Sequence, residues 1–276
     1  MTNRVPLDVV SASHPGMVRA HNEDALFVNG AAGLAVLADG MGGYNAGEVA
    51  SGIAVEVISK GMVQELTSGR ELTKVDVETG LSRAAMLLQQ QIAAANQAIY
   101  EAAQTRPECA GMGTTIVAAV FCGNRASIGH IGDSRCYRLR GGKLERLTRD
   151  HSLLQEQIDS GMLSPERARY SLNKNLVTRA LGIEEVAPAD VGEYRVEADD
   201  IFLFCSDGLT DMVEDDAIGA VIGENRDDLS LAAGALIDLA NRNGGRDNVS
   251  VVLVHVPSGF LPQVGWVQRW RAKVNA

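Results

Sequence analysis

Acidic residues stand at the ends of the most apolar runs of this sequence. LAVLADG closes one run on Asp39 and Gly40, IFLFCSDG closes another on Asp207 and Gly208, and ASIGHIGDSR closes a third on Asp133. In GGRDNVSVVLVHV, Asp247 stands two residues before the run, and RAHNED sets Arg19 four residues ahead of Glu23, with Asp24 next. A single aspartate where a strand meets a loop ordinarily caps a turn. Several carboxylates brought by separate strand ends to one edge would repel strongly, and protonation or bound cations would have to neutralise them. Hard oxygen donors without His or Cys suit Mg2+ or Mn2+, not zinc. One aspartate, with two oxygens, can bridge two ions roughly 3.5–4 Å apart, the arrangement that activates water for in-line attack on phosphorus. The glycines after Asp39 and Asp207 let backbone approach closely, so that a carbonyl or a water can complete the shell. Arg19 adds what carboxylates lack, a planar fork of donors for phosphate oxygens.

The other metal-capable residues read more plainly. His14, His21, His130, His151 and His255 have no ligand spacing in the sequence. Cys109, Cys122, Cys136 and Cys205 stand singly, without a CxxC pair, as reduced buried cysteines do.

Positioning these acids requires strands. Apolar runs at Leu34–Ala38, Thr115–Phe121, Ala126–Ile131, Ile201–Cys205 and Val249–Val256, bounded by Gly, Asn and Asp, predict them. Gly123-Asn124 and Gly141-Gly142 fall between extended segments as tight hairpin turns, which implies antiparallel pairing and not a Rossmann-type parallel sheet. Helical periodicity runs over 81–103 (Leu81, Ala85, Leu88, Ile92, Ala95, Ile99, Ala102), and less regularly over 46–67 (Val49, Ile53, Val57, Met62, Leu66). A third helix follows Asp228 as N-cap and stops at Asn243-Gly244-Gly245. Helices with one apolar stripe cover sheet faces, so the class is an α+β layered domain. The stretch 150–185 is more polar and reads as an inserted flap, with a short helix opening at Ser164-Pro165.

The chain has 276 residues, 46% of them apolar and 22% charged, with 25 Lys+Arg against 35 Asp+Glu and a net charge of −10. That excludes disordered and collagen-like classes and argues against a nucleic-acid partner. No signal-peptide pattern opens the sequence and no run approaches the roughly 20 apolar residues of a membrane span, so a soluble cytoplasmic protein is expected.

In order, RAHNED, LADGMGG with AGEVAS after it, GMGTT, HIGDSR, TRDHS, NLVTRALG, CSDGLTD and GGRDNVSVV resemble the metal-dependent protein phosphatases of the PP2C (PPM) type, most closely their short bacterial members. The resemblance covers about residues 7–256, which would form one domain with the flap at 150–185, followed by a tail, 257–276. It implies a four-layer α-β-β-α sandwich in which two antiparallel sheets are flanked by helices. It implies hydrolysis of phosphoserine and phosphothreonine by in-line attack of metal-bound water, with two core Mn2+ or Mg2+ ions and room for a third. By position, Asp39 would bridge the core ions, Asp207 and Asp247 would complete the first, and Glu23 and the Gly40 carbonyl would serve the second. Asp24 would orient the water, Asp133 with Asp207 would hold the third ion, and Arg19 would hold the substrate phosphate. Phosphoproteins and a cognate bacterial Ser/Thr kinase are the implied partners of a monomeric enzyme.

One position departs from the pattern. Close bacterial relatives usually carry His after DGMGG as a candidate general acid; here the residue is Tyr44, a poorer acid with a reference pKa of about 10, so metal-bound water or Tyr44 would protonate the leaving oxygen.

Two rivals are weaker. A catalytically silent PP2C-fold binding module would show lost metal carboxylates, and all are present. An ATP-binding domain of the histidine-kinase/gyrase type would explain DGMGG but not SDG, GDSR and RDN at strand ends. The tail sets Val264, Val267, Trp270 and Val274 at helical spacing beside Arg269, Arg271 and Lys273. Contact with an anionic membrane surface is weighed there below packing on the domain or terminal disorder.

Overall fold

A computed structural model describes residues 5–43, 46–164, 167 and 176–260. In chain order the elements are β1 (Asp8–His14), β2 (Asp24–Asn29), β3 (Leu34–Met41), α1 (Ala46–Thr67), α2 (Arg83–Thr105), β4 (Gly113–Thr114), β5 (Ile116–Cys122) and β6 (Arg125–Ile131). There follow β7 (Arg135–Arg140), β8 (Lys143–Arg146), α3 (Leu153–Asp159), β9 (Asp190–Arg195), β10 (Ile201–Cys205), α4 (Asp207–Thr210), α5 (Asp215–Glu224), α6 (Leu229–Arg242) and β11 (Val249–His255).

Two antiparallel sheets result, one ordered β1-β11-β10-β7-β8 and the other β2-β3-β5-β6-β9, with β4 on β3. Strands buried on both faces read as continuous apolar runs, and their alternation now separates three layers of core. Leu34, Val36, Ile116, Ala118 and Val120 face α1 and α2. Leu203, Cys205, Val251 and Leu253 face α5 and α6. Leu37, Val117, Phe121, Phe202, Phe204, Val252 and Val254 fill the space between the sheets. There Phe121 and Phe202 meet edge to face, ring centroids 5.1 Å apart. Each large side chain so buried contributes about 1.5–3 kcal/mol. The order helices–sheet–sheet–helices is the α+β sandwich expected. Phe260, beyond the last strand, is buried with the inter-sheet core, while 261–276 lie outside the described residues.

Both hairpin turns are present. Gly141 and Gly142 each take positive φ (56° and 80°), whereas of Gly123-Asn124 only the glycine does (65°). Ser82 caps α2 and Asp228 caps α6, each accepting a backbone N–H through its side chain. In α1 the fully buried row is Ala50, Ala54, Ile58 and Met62, which keeps Met62 of the predicted stripe and otherwise lies one position after Val49, Ile53 and Val57. Small alanines let the helix sit close on its sheet, and Val49, Ile53 and Val57 flank the contact, partly buried. Edge strands β1, β2 and β9 were not predicted, and neither were α4, α5 and α3, the last of which lies in the segment read as a flap. The helix expected to open at Ser164-Pro165 falls mostly outside the described residues.

Antiparallel pairing dictates where the acids go, because the end of one strand lies beside the start of its neighbour. Asp39, near the end of β3, faces Asp24, the first residue of β2. Asp207 follows β10 and Asp247 precedes β11, two strands that are also paired. The end of β6 pairs with the start of β5, bringing Asp133 to the same rim.

Candidate metal centre

Hydrogen bonds join the two sheets at this rim. Ser206 Oγ, at the end of β10, donates to Asp24 Oδ2 (3.0 Å) on β2 of the other sheet. The Glu23 N–H donates to Asn248 Oδ1 (2.8 Å), and the Asn248 N–H donates to Asp247 Oδ1 (2.9 Å). Thr115 Oγ1 accepts the Asp39 N–H (3.2 Å) and lies 2.7 Å from Ser134 Oγ, tying the Asp39 strand to the residue after Asp133. Glu23, Asp24, Asp39, Asp133, Asp207 and Asp247 thus meet at one end of the sandwich, and Gly40 lies among them in β3. Arg19 reaches in from the loop before β2, its Nη2 donating to Asp247 Oδ2 at 2.6 Å.

The glycines beside the acids serve close approach. A Cβ on Gly208 would collide with the Asn248 carbonyl oxygen, and one on Gly40 with the Gly47 carbonyl and, at 2.6 Å, with Glu23 O. Gly208→Ala is therefore expected to lower stability by about 1–3 kcal/mol, the usual cost of overpacking, measurable by denaturant unfolding.

The electrostatics are those of crowded like charges. Burial, then the charges of Asp24, Asp207 and Asp133, hold the Asp39 carboxyl well above the usual carboxylate range. Burial and the charges of Asp133 and Asp211 do the same to Asp207. Asp24 is pushed up to about 6 by burial, against the stabilising bonds of Ser250 and Ser206. Asp133 is pushed up to about 6 by burial and by the charge of Asp150, and burial raises Glu23.

The donor set fits divalent cations. Among the described residues, Glu23 Oε1 and Asp24 Oδ1 are buried without a hydrogen-bond partner, a costly condition unless something else ligates them. The ion pair made to the cluster among the described residues is that of Arg19 with Asp247. Carboxylates in this surplus, with carbonyl oxygen nearby, match the hard-ligand preference of Mg2+ and Mn2+.

A cleft of about 810 Å³ opens from Asp133 and Asp207 between α3 and the α4–α5 segment. Its floor includes Arg135, which grips both oxygens of Asp150 at 2.6–3.0 Å.

His130, His151 and Asp190 also lie within 4.8 Å of one another, a proximity invisible in the sequence. Hydrogen bonding assigns them a structural part. His151 Nδ1 accepts the Gly132 N–H (3.1 Å), so Nε2 carries the proton and donates to Asp190 (3.1 Å). His130 Nε2 bonds the Arg149 carbonyl. Burial pushes His151 down to about 4, which keeps it neutral.

Tyr44, the acid candidate, lies outside the described residues. Sequence reasoning passed over Asn248 and Ser206, each beside a residue it had singled out, and named Thr115 only as the start of a strand.

The sequence profile of the family described as protein phosphatase 2C matches residues 17–222. The chain is 38% identical over 250 residues to the serine/threonine protein phosphatase PstP of Mycobacterium tuberculosis, spanning 91% of this chain and 45% of that protein. It is likewise 38% identical over 242 residues to the serine/threonine phosphatase stp of Listeria welshimeri, spanning 87% of this chain and 92% of that one. The crystal structure of the catalytic domain of PstP in complex with two manganese ions superposes with a TM-score of 0.78 at 37% identity, covering 91% of this chain and 99% of that domain. Fold, strand-end carboxylates and sequence thus agree: this chain belongs to the protein phosphatase 2C family.

Proposed function

We propose that this chain hydrolyses phosphoserine and phosphothreonine in phosphoproteins, using Mn2+ or Mg2+. The observation that carries the reading is the half-buried cluster of like-charged carboxylates, two of whose oxygens are buried without a hydrogen-bond partner among the described residues. Asp39 would be shared between two ions, with Asp207 and Asp247 on one side and Glu23 and the Gly40 carbonyl on the other. Asp133 with Asp207 would hold a further ion at the mouth of the cleft. Bound divalent ions supply charge neutralisation and a water made nucleophilic at neutral pH.

The chain's own residues do the rest. Arg19, with one of its five donors on Asp247, offers others to the phosphate oxygens and so fixes the phosphorus for in-line displacement. Asp24, fixed by Ser206, would orient the attacking water through its carboxylate. The P–O bond to the serine or threonine breaks as the bond to water oxygen forms, and the leaving oxygen takes a proton. The cleft beside Asp133 gives a phosphopeptide room next to the site.

A kinase that installs these phosphates is the natural opposing partner, and the resemblance to short bacterial phosphatases supports a monomer. Among the described residues no helix is long and apolar enough to cross a membrane. The full chain is expected to release phosphate from a phosphothreonine peptide with Mn2+ and not with EDTA. Failure with every divalent metal would leave the silent binding module as the better reading.

A further inference from the structure

Arg19 stands on a surface turn, between Met17 and Val18, 67% and 69% exposed, and the half-buried Glu23. One buried side chain holds that turn from beneath. Asn248 Nδ2 donates to the carbonyls of Pro15 (3.0 Å) and His21 (2.9 Å), and Oδ1 accepts the Glu23 N–H (2.8 Å). Asn248 is 5% exposed, and both its amide hydrogens and its carbonyl are engaged. The two carbonyls and the N–H it meets also fix which way the amide points. Its own N–H fixes Asp247 Oδ1, while Asp247 Oδ2 accepts from Arg19. The side chain therefore spans the turn on both sides of Arg19 and joins it to the partner of the arginine.

We propose that Asn248 is a positioning residue for phosphate binding: it sets the height and direction of the Arg19 turn over the carboxylates. The proposal rests on the reading of Arg19 as the phosphate-binding group. No other residue type supplies two donors and one acceptor on so short a stem. Aspartate keeps the acceptor for Glu23 and loses both donors, and alanine loses all three bonds.

The test is steady-state hydrolysis of a phosphothreonine peptide at saturating Mn2+ by the full chain and by Asn248→Ala, Asn248→Asp, Arg19→Ala and the double variant Asn248→Ala/Arg19→Ala. Tyr194→Phe, which removes a distant bond to Leu147 (2.7 Å), serves as a destabilised comparator with unchanged KM. Melting temperatures accompany every variant. Asn248→Ala and Asn248→Asp are expected to raise KM about tenfold, equivalent to 1.4 kcal/mol of binding, with kcat changed far less. Acting through Arg19, the Asn248→Ala change should add little to the KM of Arg19→Ala. If Asn248→Ala fails to fold, Asn248→Asp carries the same reading. An unchanged KM in the Asn248 variants, beside a raised KM in Arg19→Ala, overturns the inference and leaves the role of Arg19 intact. The same multiplication of KM in the Arg19→Ala background also overturns it. An Arg19→Ala variant with unaltered KM instead refutes the reading of Arg19 on which it stands.

Discussion

Asp39→Asn is expected to abolish turnover and, in the ion-free protein, to raise stability. Asp39 lies opposite Asp24 in the β2–β3 register and within the fields of Asp207, Asp133 and Asp247. Asparagine keeps its volume, stays neutral where Asp39 would have to ionise among its neighbours, and can donate to the Asp24 carboxylate. Relief of this kind commonly stabilises by about 0.5–2 kcal/mol. The same change alters the carboxylate proposed to be shared by two ions, so hydrolysis of a phosphothreonine peptide should fall at least about 10³-fold, or about 4 kcal/mol of barrier. Calorimetric melting in EDTA and phosphate release in Mn2+ read the two halves separately. Loss of activity with loss of stability would make Asp39 a structural residue; unchanged activity would remove it from the site.

Stabilisation by Mn2+ should grow steeply with pH. Asp24 and Asp133 are pushed up to about 6, and burial with neighbouring carboxylate charge raises Asp39 and Asp207 well above the usual carboxylate range. Folded-state values above the unfolded ones mean that the ion-free folded chain carries the extra protons. These carboxylates therefore favour folding least at high pH, their contribution falling as pH rises from about 4 through 6 and beyond. An ion must displace those protons, so its affinity rises over the same window. His130 and His151, both lowered by burial, give the opposite slope below about 6.5, but they titrate alike with and without ions and cancel in the difference. Melting with Mn2+ minus melting with EDTA should be close to zero at pH 5. At pH 7.5 it should reach several degrees, since an ion at a hundred times its Kd adds about 2.7 kcal/mol. A difference independent of pH would mean that the raised carboxylates are not the ligands.

The candidate metal centre was legible because Asp39, Asp133 and Asp207 follow apolar runs and Asp247 precedes one. Strands such as LAVLA and IFLFC are buried on both faces, so each ends abruptly in an acid that no core could take unpaired. Edge strands carry no such mark. In β1, DVVSASH, polar and apolar residues mix because only one side is covered, and β9, DVGEYR, is similar. Helix α3 is seven residues with none buried, too short for a period to show. The α1 stripe shifted because alanines, not the bulkier valines, make the close contact. Asn248 escaped notice for a different reason: an amide beside a carboxylate carries no charge signal, and its partners Pro15, His21 and Glu23 lie more than 220 residues away in sequence. His130 and His151, stacked with ring centroids 4.7 Å apart, are likewise joined only by the return of the chain after β8.

Calorimetric titration of Mn2+ into the ion-stripped chain at pH 7 tests the central claim most directly, because it asks whether the strand-end carboxylates hold ions at all. Two bound ions with release of protons are predicted, and both should be lost in Asp39→Asn. Absence of binding, or binding that Asp39→Asn leaves unchanged, would contradict the account.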